Sequence, residues 1–396
     1  MHGLGRANVL FRHLLVLQTA FATHVQNNIG IMGHSRGGEG VLKAARLNQQ
    51  LALGHNFNGI ISLAPTDQYG TEVLGGSWAK PFLVLYGSRD GDVAGWPPYA
   101  GYTVQQTGFS LYDRAKDAPK SMAFVYRASH NGFITTNYDA FGDSPIPEAQ
   151  QRAVTLAYVN AFFRRRLKNE TEWDGVGNGE WIPPSVQAQP DVELHMQHRA
   201  AGTTPLDDFE GAVPDWQSST IGGTVTDEGS LPASPQEAKM YSATGSPGLD
   251  NRSPHDTKGL LVRWDHAGDR LVFKLPPGSQ DLTGFEYLSF RITQREASPH
   301  NPVNAPQNLR VALKDAANNE RAVRVGAFGT IPYPDQRANA TLRKSAMRTI
   351  RIPLKSYRIV CAGMPQVDLA NVTTVALRFT EVPTGEIEID ELEFVP

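Results

Sequence analysis

The chain carries one cysteine, Cys361, in 396 residues. An internal disulfide and a cysteine-built zinc site within one chain are therefore excluded, although the compartment stays open. No apolar run reaches the roughly 18 residues a membrane-spanning helix needs, so no span is expected. Charge of one sign is also missing: 37 Lys and Arg face 40 Asp and Glu, a formal net charge of −3. That balance argues against nucleic-acid binding as the main business of the protein. The histidines lack ligand spacing except at His195-x-x-His198, which lies in a polar stretch and reads as solvated surface. What remains is an ordinary globular composition, 40% hydrophobic and 19% charged. The length suits two or three domains, each able to bury its own core.

The most informative stretch is Gly33-His34-Ser35-Arg36-Gly37-Gly38, directly behind the apolar run Ile29-Gly30-Ile31-Met32. It reads as strand, tight turn and helix with a serine at the apex. The serine backbone is strained there, and a side chain at Gly33 or Gly37 is expected to collide across the turn. This is the G-x-S-x-G nucleophile elbow in its strand-to-helix setting. The bland alternative is a glycine-rich turn or phosphate cradle. A phosphate loop would want Gly-Lys-Ser/Thr at the helix start, and that is absent.

Two further strand ends carry the groups such a serine needs. Pro81–Tyr86 is an apolar run read as a buried parallel strand, and Gly87-Ser88-Arg89-Asp90-Gly91-Asp92-Val93 follows it. Ser121–Tyr126 is another, followed by Arg127-Ala128-Ser129-His130-Asn131-Gly132-Phe133. Loops past the carboxyl ends of strands are where open α/β sheets place their sites. In order of sequence the groups are serine, acid and histidine. Asp90 fits the G-x-x-D spacing, while Asp92 is a rival in the same loop. Taken singly, each aspartate could be a solvated loop carboxylate and His130 a loop histidine.

These motifs resemble the α/β-hydrolase superfamily, nearest the dienelactone-hydrolase, chlorophyllase and polyester-hydrolase-like esterases, over roughly residues 8 to 168. The resemblance implies Ser35 as nucleophile, Asp90 as orienting acid and His130 as base. It further implies the backbone N–H of Arg36 as an oxyanion donor and a carboxylic ester, small or polymeric, as substrate. Trp96 and Tyr99, in Trp96-Pro97-Pro98-Tyr99, are expected in one pocket wall. A complete member has four strands and another oxyanion donor before the elbow. Only 34 residues precede Ser35, so the chain is expected to be part of a longer enzyme, a mis-started reading frame or a reduced variant. Four parallel strands are expected: Asn28–Met32, Gly59–Leu63, Pro81–Tyr86 and Ser121–Tyr126.

Arg6 to Thr23 could mimic a signal peptide, with Ala20-Phe21-Ala22 as a cleavage site. Val9, Leu10, His13, Leu14, Leu17, Ala20 and Phe21 instead fall at helical spacing, so a crossover helix packed on the sheet is the expectation. Ile146 to Lys168 reads as a long amphipathic helix with Ala153, Leu156, Ala157, Val159, Phe162 and Phe163 inward. It closes a first domain over residues 1–168, and residues 169–203, rich in Gly, Pro, Gln and Trp, read as a surface linker.

From residue 204 to 396 short alternating strands separated by Gly, Pro and Asn turns indicate an antiparallel β-sandwich. The fold class is thus α/β plus all-β: a partial α/β-hydrolase sheet followed by a sandwich. The ends Leu206-Asp207-Asp208-Phe209-Glu210 and Ile389-Asp390-Glu391-Leu392-Glu393-Phe394 resemble those of a jelly-roll carbohydrate-binding or galactose-binding-like module. That resemblance implies a glycan or surface as partner, an extracellular setting, and a structural calcium for which Asp207, Asp208, Glu210 and Asp390 are candidates. Solvated edge-strand carboxylates are the alternative to calcium; no other cofactor is expected. Trp216, Tyr241, Trp264, Tyr333 and Tyr357 are available for stacking on sugar, with burial in the core as the default for Trp264. Two function classes stay open: a serine esterase, or a catalytically inactive binding or scaffold protein.

Overall fold

The computed structural model describes residues 2–23, 27–67, 74–76, 79–93, 108–134, 143–241, 248–250, 252–358 and 366–396. Trp96, Tyr99 and Cys361 lie outside the described residues. The chain forms two compact units, Met1–Ala201 with Asp335–Arg343, and Gly202–Pro334 with Lys344–Pro396.

The first unit is built on a five-stranded sheet, β1 (Ile29–His34), β2 (Phe57–Leu63), β3 (Phe82–Gly87), β4 (Lys120–Val125) and β5 (Leu194–Arg199), in that spatial order. The first four strands run parallel and β5 is antiparallel to β4. β3 and β4 are buried at every position, which is why their sequences are almost unbroken apolar runs. Alternation then sorts the side chains between two faces. Ile61, Leu63, Leu83, Leu85, Ala123 and Val125 cluster with Val154, Tyr158 and Ala161 of helix α4 (Glu148–Lys168). On other positions, Tyr86 and Phe124 pack with Phe109 of helix α3 (Gly108–Arg114), at ring separations of 5.5 and 5.2 Å from Phe109. Fully burying one such side chain contributes about 1.5–3 kcal/mol.

Three expectations are corrected in this unit. Helix α1 (His2–Ala20) forms, but only Ala7 and Leu14 among its described apolar residues are buried, and Val9, Leu17 and Phe21 are exposed. It packs on helix α2 (Arg36–Gln50) rather than on the sheet. The approach is close because Gly40 has no side chain: a Cβ there would sit 3.0 Å from Arg6 Cβ. The buried face of α4 runs through Gln151, Val154, Thr155, Tyr158 and Ala161, with Leu156 outward. Of the residues expected inward, Ala157, Val159, Phe162 and Phe163 do pack half-buried against the core, the last two reaching Gly59 and Gly30, so the correction is confined to Leu156 and to the fully buried row beside them. Finally, residues 169–203 are no linker. They hold β5, whose His195 is buried, edge-on to Tyr126 at 4.7 Å and 3.1 Å from Glu193 Oε1. His198 lies instead with Nδ1 3.0 Å from Ser121 Oγ. Residues three apart in a strand face opposite ways, so this pair, one buried and one half-buried, is no shared ligand set.

The second unit is a sandwich of two antiparallel sheets. One contains β6 (Thr204–Asp207), β8 (Gln236–Lys239), β9 (Lys258–Trp264), β11 (Tyr287–Gln294), β14 (Arg348–Pro353) and β16 (Gly385–Val395), ordered β14-β11-β16-β9-β8 with β6 also on β16. The other is β13-β12-β15-β10-β7, from Glu320–Arg324, Arg310–Asp315, Val372–Arg378, Arg270–Lys274 and Val225–Asp227. Alternate residues such as Val262, Phe273, Phe290, Ile292, Val311, Val375, Ile387 and Ile389 meet in one core between them. The alternating strands expected from sequence are present as β9 to β16, and the short β6, β7 and β8 join them.

The opposite face of β16 is unusual: Glu386, Glu388 and Asp390 are all buried. Asp390 pairs with Arg291 and accepts from Thr257 Oγ1 at 2.7 Å. Among the described residues neither Glu388 carboxylate oxygen has a hydrogen-bond partner. Burial first, then the neighbouring charge of Asp250, push its carboxyl well above the ordinary 4.5, against the pull of Arg295. The folded chain therefore holds a proton there that the unfolded chain releases. Stability from this group is complete below about pH 4.5 and falls as pH rises through the folded-state pKa. Glu388→Gln keeps the neutral shape, so its unfolding transition should be flatter between about pH 5 and 8, with a midpoint at pH 8 no lower than wild type. Calorimetric scans across that range check this, and an unchanged slope contradicts it.

Candidate active site

The carboxyl ends of β1, β3 and β4 bring the elbow, acid and histidine loops to one edge of the first sheet. Ser35 sits between β1 and α2 with φ 56° and ψ −126°, a conformation costing on the order of 1–3 kcal/mol that its surroundings must impose. They do so through Ser35 N–H to Leu63 O at 2.9 Å, and Gly38 and Thr66 N–H to Ser35 O at 2.9 and 3.2 Å. A Cβ on Gly33 would stand 2.1 Å from Gly37 O, and one on Gly38 would stand 2.7 Å from Pro65 Cβ. Gly37 itself faces open space. The expectation of a clash at Gly37 is thus corrected: Gly38 is the second crowded position. Gly33→Ala should leave little folded protein, whereas Gly37→Ala should stay within about 1 kcal/mol of wild type or exceed it, since alanine favours helix. Thermal melts of the two variants decide this, and a Gly33→Ala protein of normal stability would refute the reading.

Asp90 is fully buried, and its Oδ2 lies 2.7 Å from His130 Nδ1. The other oxygen, Oδ1, accepts from the backbone N–H of Asp92 at 3.1 Å and of Val93 at 2.7 Å. The carboxylate is held at both ends, so the ring is held too. Asp92 is mostly exposed and approaches the other ring nitrogen, with Oδ2 3.5 Å from Nε2. Of the two rival acids, Asp90 therefore lies against Nδ1 and Asp92 against Nε2. Among the described residues no hydrogen bond joins Ser35 Oγ to the ring, and Oγ makes no cap bond to α2 either. Such bonds commonly tighten only when substrate binds. Arg36 opens α2, so its N–H has no partner within the helix and points from the positive end of the helix dipole.

Several supports gave no local signal. His34 packs its ring on His130, centroids 4.6 Å apart, with Nε2 3.1 Å from the His130 carbonyl oxygen. Gln151, wholly buried on α4, accepts from Ser129 N–H at 3.1 Å and donates to Ser129 O at 2.8 Å. Gly87 lets the acid and histidine loops touch: a Cβ there would lie 2.3 Å from Ala128 O. Asp67, after β2, is a further rim carboxylate, but Arg114 at 2.9 Å and Ser110 at 2.6 Å occupy it. Beside the elbow an apolar groove of about 420 Å³ is lined by Val9, Leu10, Leu14, Leu17, Met32 and Val41 among others.

The calcium candidates are not gathered. Asp390 is committed to Arg291. Glu210 accepts from Lys258 N–H at 2.8 Å. Asp207 accepts from Phe209 N–H and Thr220 Oγ1, both at 3.1 Å, and burial raises its carboxyl to about 6. Asp208 accepts from the same Thr220 hydroxyl at 2.7 Å. Among the described residues the cluster with metal-ligand spacing is Asp265, His266 and Asp269, a set with no bearing on the four above. Of the aromatics weighed for sugar stacking, Trp264, Tyr333 and Tyr357 are buried, while Trp216 and Tyr241 are half-buried. Trp264 stacks on Phe379 at 4.5 Å inside the core.

No family model and no curated protein matches the chain. Among solved structures, the family 11 carbohydrate-binding module of the cellulosomal cellulase Lic26A-Cel5E of Clostridium thermocellum is 17% identical, with a TM-score of 0.30, over 50% of this chain and 96% of that one. A β-1,2-glucanase from Parabacteroides distasonis is 14% identical, with a TM-score of 0.27, over 49% of this chain and 25% of that one. A xylan-binding domain of family 22 is 13% identical, with a TM-score of 0.26, over 48% of this chain and 91% of that one. At this level of similarity they carry no argument about what the chain binds. The β-sandwich rests on its own strand order.

Proposed function

We propose that the chain hydrolyses carboxylic esters through an acyl-enzyme on Ser35. The observation that carries the reading is the buried Asp90–His130 pair, 2.7 Å apart, on the same sheet edge as a serine at a strained strand-to-helix turn. A serine hydroxyl needs a base to attack at neutral pH. In this scheme His130 Nε2 takes the Ser35 proton as Oγ bonds to the acyl carbon. Asp90 accepts from Nδ1 and stabilises the imidazolium. The Arg36 N–H receives the developing oxyanion, a donor whose loss typically costs about 10²–10³ in turnover. Collapse expels the alkoxide, which takes the proton back from Nε2, and water repeats the sequence to free the acid. The apolar groove beside the elbow suits an acyl chain.

A fluorophosphonate probe tests this without choosing a substrate. One adduct per chain is expected, on the peptide bearing Ser35, and it should be lost in His130→Gln. A chain left unlabelled at probe concentrations that saturate ordinary serine esterases would reject the proposal.

A second reading is a binding or scaffold protein that acts through its sandwich on a glycan or surface. It is supported by the facing of Nε2 toward Asp92 rather than Ser35. The burial of Trp264, Tyr333 and Tyr357 counts against an aromatic sugar platform built on them. Retardation in gels containing soluble polysaccharides, with no probe adduct, would favour this second reading.

A further inference from the structure

The first unit is completed by Asp335–Arg343, a segment bracketed in sequence by residues of the second unit. Within the first unit this segment lies on the acid loop. Arg337, 1% exposed, donates from Nη1 to Ser88 O at 3.0 Å and, at a longer 3.5 Å, to Asp90 O. Its Nε donates to Asp143 Oδ2 at 2.7 Å, and Asp143 Oδ1 accepts from Ala338 N–H at 2.9 Å. Asp335 takes the other side of the same loop. It accepts from Arg89 Nε at 3.1 Å and Nη2 at 3.3 Å, and from the Ser88 hydroxyl. Ser88 Oγ in turn accepts from Arg127 N–H at 2.7 Å, tying the acid loop to the turn that leads into His130.

The bonds to the acid loop fall on the Ser88 and Asp90 carbonyls and on the Ser88 and Arg89 side chains, while Asp143 holds the other side of the Arg337 guanidinium. None reaches the Asp90 carboxylate, the ring or Ser35. We infer that Arg337, with Asp335, is a positioning residue for the acid: it fixes the loop so that Asp90 Oδ2 meets His130 Nδ1. The inference rests on the ester-hydrolase reading for its effect on rate, but not for its effect on the Asp90–His130 bond. A buried guanidinium is suited to this work, since its fork can hold two carbonyls and a carboxylate in one fixed geometry. Misplacing a reacting group by about 1 Å can cost about 10²-fold in rate. The acid loop would then depend on residues almost 250 positions further along the chain.

The test compares wild type with Arg337→Met in the full chain by two readouts. The first is kcat and KM for a p-nitrophenyl ester. The second is the strongly deshielded proton resonance of the Nδ1–H···Asp90 bond, assigned by its loss in His130→Gln. The expected result is a kcat lowered about 10- to 100-fold with KM within about twofold, and a resonance shifted upfield or lost. A folded Arg337→Met protein with both readouts unchanged would overturn the inference. If wild type shows no turnover that depends on Ser35, the ester-hydrolase reading fails, and the resonance alone decides the role of Arg337. If Arg337→Met does not fold, Asp335→Asn gives the same two readouts: a displaced resonance supports the clamp, an unmoved one contradicts it.

Discussion

Ser35→Ala is expected to remove turnover of a p-nitrophenyl ester by about 10⁴- to 10⁶-fold, leaving the fold intact. Removing the nucleophile of such a relay costs about as much as removing all of it, because the members act as one unit. Among the described residues the hydroxyl makes no structural bond that alanine would break, and it does not cap α2. The strained φ of 56° persists in the variant, since Gly33, Gly38 and the Leu63 carbonyl still impose it. The loss should therefore fall on kcat, with the thermal midpoint unchanged or slightly raised. Equal activity in the two proteins would mean that some other group hydrolyses the ester, and inactivity of both would favour the binding reading.

The second large effect separates the two aspartates. Asp90→Asn should lower kcat about 10⁴-fold, because the amide presents the wrong partner to Nδ1 and loses the charge that stabilises the imidazolium. Asp92→Asn should do the opposite or nothing. Its carboxylate approaches Nε2 at 3.5 Å, the nitrogen that must receive the serine proton, so removing it frees the base. An Asp92→Asn rate between wild type and a few times higher fits the geometry. A collapse in Asp92→Asn with Asp90→Asn active would reverse the assignment. Measuring both variants at several pH values excludes a simple displacement of the optimum.

Much of the site could be read in the sequence because its signals are local. A strand, a turn with small residues and a helix follow one another within Ile29–Gln50, and sterics at Gly33 leave little choice of conformation. The strands before Asp90 and His130 are buried on both faces, so each reads as a short unbroken apolar run. What escaped had no such local mark. Strand β5 buries His195 and Gln197, so its alternation is hidden among polar residues and the segment looked like linker. Helix α1 shows helical spacing of apolar residues, but periodicity cannot reveal which stripe finds a partner. Arg337 reaches the acid loop from a distant part of the chain, through tertiary structure alone. The same limit applies to Trp264, Tyr333 and Tyr357: an aromatic in an alternating strand is equally suited to a core or a sugar face until its sheet is placed. The carboxylates at the sandwich ends had the right chemistry for calcium, and their separate commitments to Arg291, Lys258 and Thr220 were not visible in their spacing.

Acid quenching during turnover of p-nitrophenyl acetate, followed by peptide mass spectrometry, examines the covalent step itself. An acetyl group is expected on the peptide that contains Ser35, accumulating in wild type and absent from His130→Gln. Steady release of p-nitrophenol with acetyl found only on lysine or histidine, or on no residue, would contradict it.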